Sequence, residues 1–109
     1  MPETKAARRY AKALISLAEE QEAGEIIGEQ LAQMAQLFTD PELAKILSLP
    51  ALPLRARQGI VEQVVSQASP HDTFVKFLHV LADNNRLRDL VDIDGAYQRL
   101  LDQVLGRIR

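Results

Sequence analysis

Pro41, Pro50, Pro53 and Pro70 set the limits on what this chain can become, because each falls between stretches whose apolar residues recur with a helical period. Proline lacks the N–H that a helix interior needs, and its ring strikes the carbonyl one turn back. Each therefore marks a boundary between helices. No stretch keeps a period-2 apolar alternation long enough for a strand. Leucine and alanine, both strong helix formers, are the commonest residues with sixteen and fourteen copies, so the chain reads as all-α.

Six helices are expected between these punctuation marks. The first runs from about Thr4 to Glu22 with Thr4 as its N-cap, and the second covers about Glu25 to Phe38. The third opens at Asp40-Pro41-Glu42, a cap residue followed by proline at the first helical position, and ends near Leu49. Residues 48–53 form a linker. The fourth runs from about Leu54 to Gln67, with Ile60, Val61, Val64 and Val65 on its buried side. Ser69-Pro70-His71-Asp72 predicts a serine cap and a proline start for the fifth, which stops at Asn84-Asn85, where asparagine can take a left-handed turn. The sixth covers about Leu87 to Arg107. At 109 residues and 47% apolar composition, the expectation is a six-helix bundle forming a single domain over residues 1–109.

Several kinds of chemistry lack their residues. The chain has no cysteine and only two histidines, which excludes disulfides, thiolate sites and multi-histidine metal sites. No phosphate-cradling, dinucleotide, zinc-hydrolase or nucleophile-elbow motif occurs. Asp92-Ile93-Asp94-Gly95 resembles a piece of a calcium loop, but its first ligand position would be Leu90, which cannot ligate. His71 and His79 read as surface histidines, and Gly24 with Gly28 as a loose helix junction. The expectation is no catalytic residue, no cofactor and no metal. A net charge of −2 argues against general nucleic-acid binding. No apolar stretch reaches the length that spans a membrane, and no secretory apolar segment follows the N-terminus. The chain is expected to be an intracellular bacterial protein or a mature organellar one.

Two helices carry more apolar surface than one core contact uses. On the first, apolar residues from Ala13 through Leu17, Ala6, Tyr10 and Leu14 to Ile15 fill an arc of roughly 200°, where a core stripe needs little over 100°. On the fifth, Phe77 and Val80 extend the Phe74-Leu78-Leu81 stripe to an arc of roughly 220°. Either these helices are central in the bundle, or one flank of each faces a partner helix laid into a groove. Ala6 and Ala13 suit close approach, and Tyr10 suits an anchor with a polar tip. Charge is also in blocks: Lys5, Arg8, Arg9 and Lys12 are followed by residues 19–42, which hold acids and no base. The alternative reading is a general helical interaction domain, or a nucleic-acid-binding one using this basic strip.

The same helices carry a family resemblance. Ala7-Arg8-Arg9-Tyr10-Ala11-Lys12-Ala13-Leu14 resembles the "ARxYAKAL" opening of the delta subunit of F-type ATP synthases, equivalent to the mitochondrial oligomycin-sensitivity-conferring protein. Phe77-Leu78-His79-Val80-Leu81-Ala82-Asp83-Asn84-Asn85-Arg86-Leu87 resembles that family's "FLxxLAENxRL" segment, with Asp83 and Asn85 in place of glutamate and glycine. The resemblance is to the family's N-terminal domain, and the usual C-terminal region is missing from these residues. It implies a six-helix bundle without catalysis, tying the catalytic head to the peripheral stalk at the cytoplasmic face of the bacterial inner membrane. It implies two partners: the N-terminal helix of an alpha subunit, and the stalk b subunits, which the family contacts mainly through the missing region. By motif position, the alpha helix would dock against Tyr10, Ala13, Phe77, Val80 and Asn84. Helical spacing adds Ala6, Leu17 and Lys76.

Overall fold

The computed structural model describes residues 4–68 and 70–106. Thr4 caps the first helix as its position predicts: Oγ1 accepts the Ala7 N–H at 3.0 Å, and α1 runs Lys5–Glu20. The helix stops short of Glu22. That residue takes a left-handed φ of 55°, and the Ala23 N–H donates to the Ala18 carbonyl at 2.8 Å. This is the capping geometry that glycine usually provides, here made by a glutamate that gave no sequence signal. α2 follows at once over Gly24–Leu37.

α3 spans Pro41–Leu47, and Asp40 Oδ1 accepts the Glu42 N–H at 3.1 Å, which is the predicted cap. It ends before Leu49 because Ser48 closes it, its hydroxyl donating to the Ala44 carbonyl at 2.8 Å. α4 runs Leu54–Ala68. Of its expected buried side, Val61 is enclosed, while Ile60, Val64 and Val65 are half-buried. Arg57 ties α4 to its surroundings, donating to the Ala82 carbonyl at 2.7 Å and the Leu52 carbonyl at 2.6 Å.

The start of α5 (Asp72–Asp83) differs from the sequence reading. Pro70 lies outside the helix, and the Ser69 cap falls outside the described residues. His71 is the cap: its Nδ1 accepts the Thr73 N–H at 3.2 Å, while its own N–H donates to Gln30 Oε1 on α2 at 2.8 Å. That second bond is tertiary, so no local pattern encodes it. The end of α5 is as expected. Asn85 has φ 57°, and the Arg86 N–H reaches the Leu81 carbonyl at 2.7 Å. A 3₁₀ turn, Leu87–Asp89, leads into α6, which covers Leu90–Val104. Leu105 and Gly106 form a turn, and Arg107, the expected end, is outside the described residues.

α6 is the central helix. Leu90, Ile93, Ala96 and Tyr97 on it are completely enclosed, and α1 and α2 lie against it. α4 pairs with α5, which in turn touches α1 and α2. The Cα radius of gyration is 13.4 Å, close to the ~13 Å expected of a chain this long. No strand occurs among the described residues.

Two expectations about polar details are corrected. The Gly24–Gly28 junction is tight, not loose: a Cβ on Gly28 would meet Tyr97 Cε1 at 3.0 Å and Leu101 Cδ2 at 3.2 Å. Tyr97 Oη donates to the Gly24 carbonyl at 2.7 Å, and Gln98 Nε2 donates to the Gly28 carbonyl at 2.9 Å. Burial, helped by the charge of Glu19, pushes the Tyr97 phenol up to about 12. Burial also raises the Asp94 carboxyl, against a hydrogen bond from Gln98 that lowers it. His79 is half-buried rather than free on the surface, and bonds through Nδ1 to Gln58, which also donates to Asp83.

Candidate functional site

α1 turns its core face inward through Ala7, Ala11, Leu14, Ile15 and Ala18, all buried. The residues one step around the helix are not covered. Ala6 and Tyr10 are half-buried, Ala13 is exposed, and Leu17 keeps 46% of its surface in solvent. α5 repeats this arrangement. Phe74, Leu78, Leu81 and Ala82 face the core, while Val80 remains 45% exposed beside exposed Lys76 and Asn84. Neither α1 nor α5 is the enclosed central helix, so the apolar excess counted on each is an open flank.

The two flanks meet in one trough. Its larger part, about 370 Å³, lies between Tyr10, Ala13 and Leu17 on one wall and Phe77 and Val80 on the other. A contiguous hollow of about 320 Å³ continues past Ala6 towards Arg9 and Arg86. Phe77 is the floor. It is nearly buried, and the Tyr10 ring meets it edge to face at 6.2 Å and 74°. A second ring, Phe74, stacks beneath at 6.5 Å. Across one end, Asn84 Nδ2 donates to the Tyr10 hydroxyl at 2.9 Å, which holds the two walls in register.

Seven of the eight expected residues therefore fall on α1 and α5 around this trough, and the eighth, Asn84, is the residue that caps the end of α5. Ala6 belongs to the second hollow, and Asn84 clamps Tyr10 without lining either part. The sequence reading missed four lining residues: Arg9, Gln21, Thr73 and Arg86. Two had an available signal. Gln21 extends the Tyr10-Ala13-Leu17 stripe by one turn, and Thr73 precedes Phe77 by one turn. Their polar side chains kept them out of an apolar count.

The trough is a surface for burying something apolar. Its floor is aromatic and aliphatic, and its rim carries Lys76, Arg9 and Gln21. Among the described residues, no three histidine or acidic side chains converge as a metal site would need. No described helix is long and apolar enough to cross a membrane.

The family model of the ATP synthase delta (OSCP) subunit matches residues 6–109. The chain belongs to that family. The ATP synthase subunit delta of Geobacter metallireducens is 36% identical over 104 residues, covering 94% of this chain and 58% of that protein. Its counterpart in Oleidesulfovibrio alaskensis is 34% identical over 107 residues, covering 95% and 58%. The protein of that name in Myxococcus xanthus is 36% identical over 107 residues, covering 94% and 58%. The chain thus spans under three-fifths of the length of these curated relatives. The resemblance carried by the two motifs, on α1 and at the end of α5, is a true family membership.

Proposed function

We propose that the chain is a non-catalytic stator adaptor of an F-type ATP synthase. It takes the N-terminal helix of an alpha subunit into the α1–α5 trough and so helps link the catalytic head to the peripheral stalk during proton-driven ATP synthesis. Its place is peripheral, at the cytoplasmic face of the membrane that carries the complex. Contacts with the stalk b subunits belong mainly to the part of the family's length beyond these residues. One observation carries the reading: Ala13 and Leu17 on α1 and Val80 on α5 stay exposed and line one hollow together with the Tyr10–Phe77 ring pair.

The physical task of such a joint is affinity and slow release. Apolar burial contributes about 25 cal/mol per Å² before the costs of association. An ordinary interface of about 800 Å² per partner holds tightly only when its centre is well packed. Tyr10, Ala13 and Val80 are the anchors. Ala13 admits a close helix backbone, Val80 supplies an aliphatic wall, and Tyr10 keeps its hydroxyl bonded to Asn84 while its ring packs.

Ala13→Asp and Val80→Asp test the assignment, because both positions are exposed and neither change disturbs the core. Calorimetric affinity for an alpha-subunit N-terminal peptide should fall at least about tenfold, worth about 1.4 kcal/mol. Circular dichroism should be unchanged. Unaltered affinity in both variants removes the groove from the assignment.

A further inference from the structure

The trough is not electrically uniform along its length. Its outer rim on α1 begins with Lys5 and Arg9, and Arg86 stands across from Arg9 in the same hollow. Glu20 lies three turns on from Arg9, about 20° away around the helix, and precedes Gln21, which lines the opposite mouth. Arg9 and Glu20 share the flank that carries Ala13, at a helical separation of roughly 16 Å, or three turns. Both are exposed, and neither forms an ion pair with another described residue. Arg86 is tied to Asp89 at 3.3 Å and keeps its side chain 42% exposed. The α5 rim does not repeat the gradient. Asp72, Lys76 and Asp83 alternate along it, and Asp83 accepts a hydrogen bond from Gln58.

Resting on the docking role proposed above, we infer that the α1 rim fixes which way round a helix lies in the trough. The occupant is an amphipathic helix with an acidic residue in the turn over Arg9 and Arg86, and a basic residue about three turns away over Glu20. The apolar floor gives affinity but no direction, since Tyr10, Ala13, Leu17 and Val80 would accept an apolar stripe in either sense. Charges at a rim contribute little to affinity and mainly steer encounter and orientation. A helix docked the wrong way round places like charges together at both mouths. For a joint that must present the rest of its partner in one direction, that discrimination is the useful property.

Two synthetic helices test this. Both carry one shared apolar face. One has glutamates in its first turns and lysines in its last, and the other has these exchanged. Each bears a nitroxide on its first turn and is titrated into the 109-residue chain labelled with nitrogen-15. The first helix should broaden the amides of Ala6, Arg9 and Arg86, and the second those of Gln21 and Thr73. The doubly exchanged variant Arg9→Glu, Glu20→Arg should swap the two patterns. Arg9→Glu alone should weaken the first helix about threefold at low salt, with the loss disappearing at high salt. Binding of both helices with the same amides broadened overturns the directional rim and leaves the docking site standing. Absence of binding by either, or broadening away from α1 and α5, overturns both.

Discussion

Tyr97 and Tyr10 each sit where two helices meet, and the two meetings end differently. At the α2–α6 seam, Tyr97 is completely enclosed and its hydroxyl donates to the Gly24 carbonyl at 2.7 Å. At the α1–α5 seam, Tyr10 is half-buried and its hydroxyl accepts from exposed Asn84 at 2.9 Å. Both seams contain small residues. Gly28 is filled by the Tyr97 ring and Leu101, whereas Ala13 faces open space above Phe77 and Val80. A small residue permits close approach but does not supply what approaches. The bundle closes one seam with its own tyrosine and leaves the other as a slot.

The largest effect that would break this contrast is expected at Gly28. Gly28→Val places a branched side chain where even a Cβ lies 3.0 Å from Tyr97 and 3.2 Å from Leu101. Overpacking of this kind should lower unfolding stability by about 2–3 kcal/mol in urea. Any folded fraction should bind the alpha peptide normally, because the seam lies away from the trough. A variant as stable as the parent would mean that α2 and α6 are loosely joined after all.

Next in size is Tyr97→Phe. Loss of a buried hydrogen bond should cost about 1 kcal/mol near neutral pH. The same variant has a pH signature. The folded phenol is raised from 10.0 to about 12, so the folded state favours the protonated form. Its stabilising contribution is fully present below about pH 10 and is lost as pH rises towards 12. Denaturant midpoints followed across that window should fall more steeply for the parent than for Tyr97→Phe. Parallel slopes would remove the buried hydroxyl from the account of this seam.

These two seams also show what a sequence can and cannot disclose. Helix number, the Thr4 and Asp40 caps and the Asn85 turn are local, written in residues within one turn of each other. The His71 cap is not, because it depends on Gln30 reaching across from another helix. Glu22 in a left-handed turn is not either, since the residue type argues against it. Counting apolar arcs located the flanks around Tyr10, Ala13, Phe77 and Val80 because excess width is a property of one helix at a time. It could not decide between a central helix and an open flank. That depended on α6, where Tyr97 and Ile93 claim the centre. Periodicity also misjudged Gly24 and Gly28. The residue that fills their gap lies about seventy positions away, as the Tyr97–Gly24 separation of 73 residues shows.

The smallest expected effect sharpens the contrast most, because it makes the same chemical change at the other tyrosine. Tyr10→Phe removes a hydroxyl that water can replace, since its partner Asn84 is exposed. The ring stays, and with it the edge-to-face contact to Phe77 at 6.2 Å. Stability should change by no more than about 0.5 kcal/mol, as for most surface changes. Affinity for the alpha peptide should fall less than for Ala13→Asp, because the aromatic anchor remains and only its clamp to α5 is lost. If Tyr10→Phe instead destabilised the bundle as much as Tyr97→Phe does, the Tyr10–Asn84 bond would be a structural staple. The α1–α5 seam would then be a second closed joint, with no slot for a partner to enter.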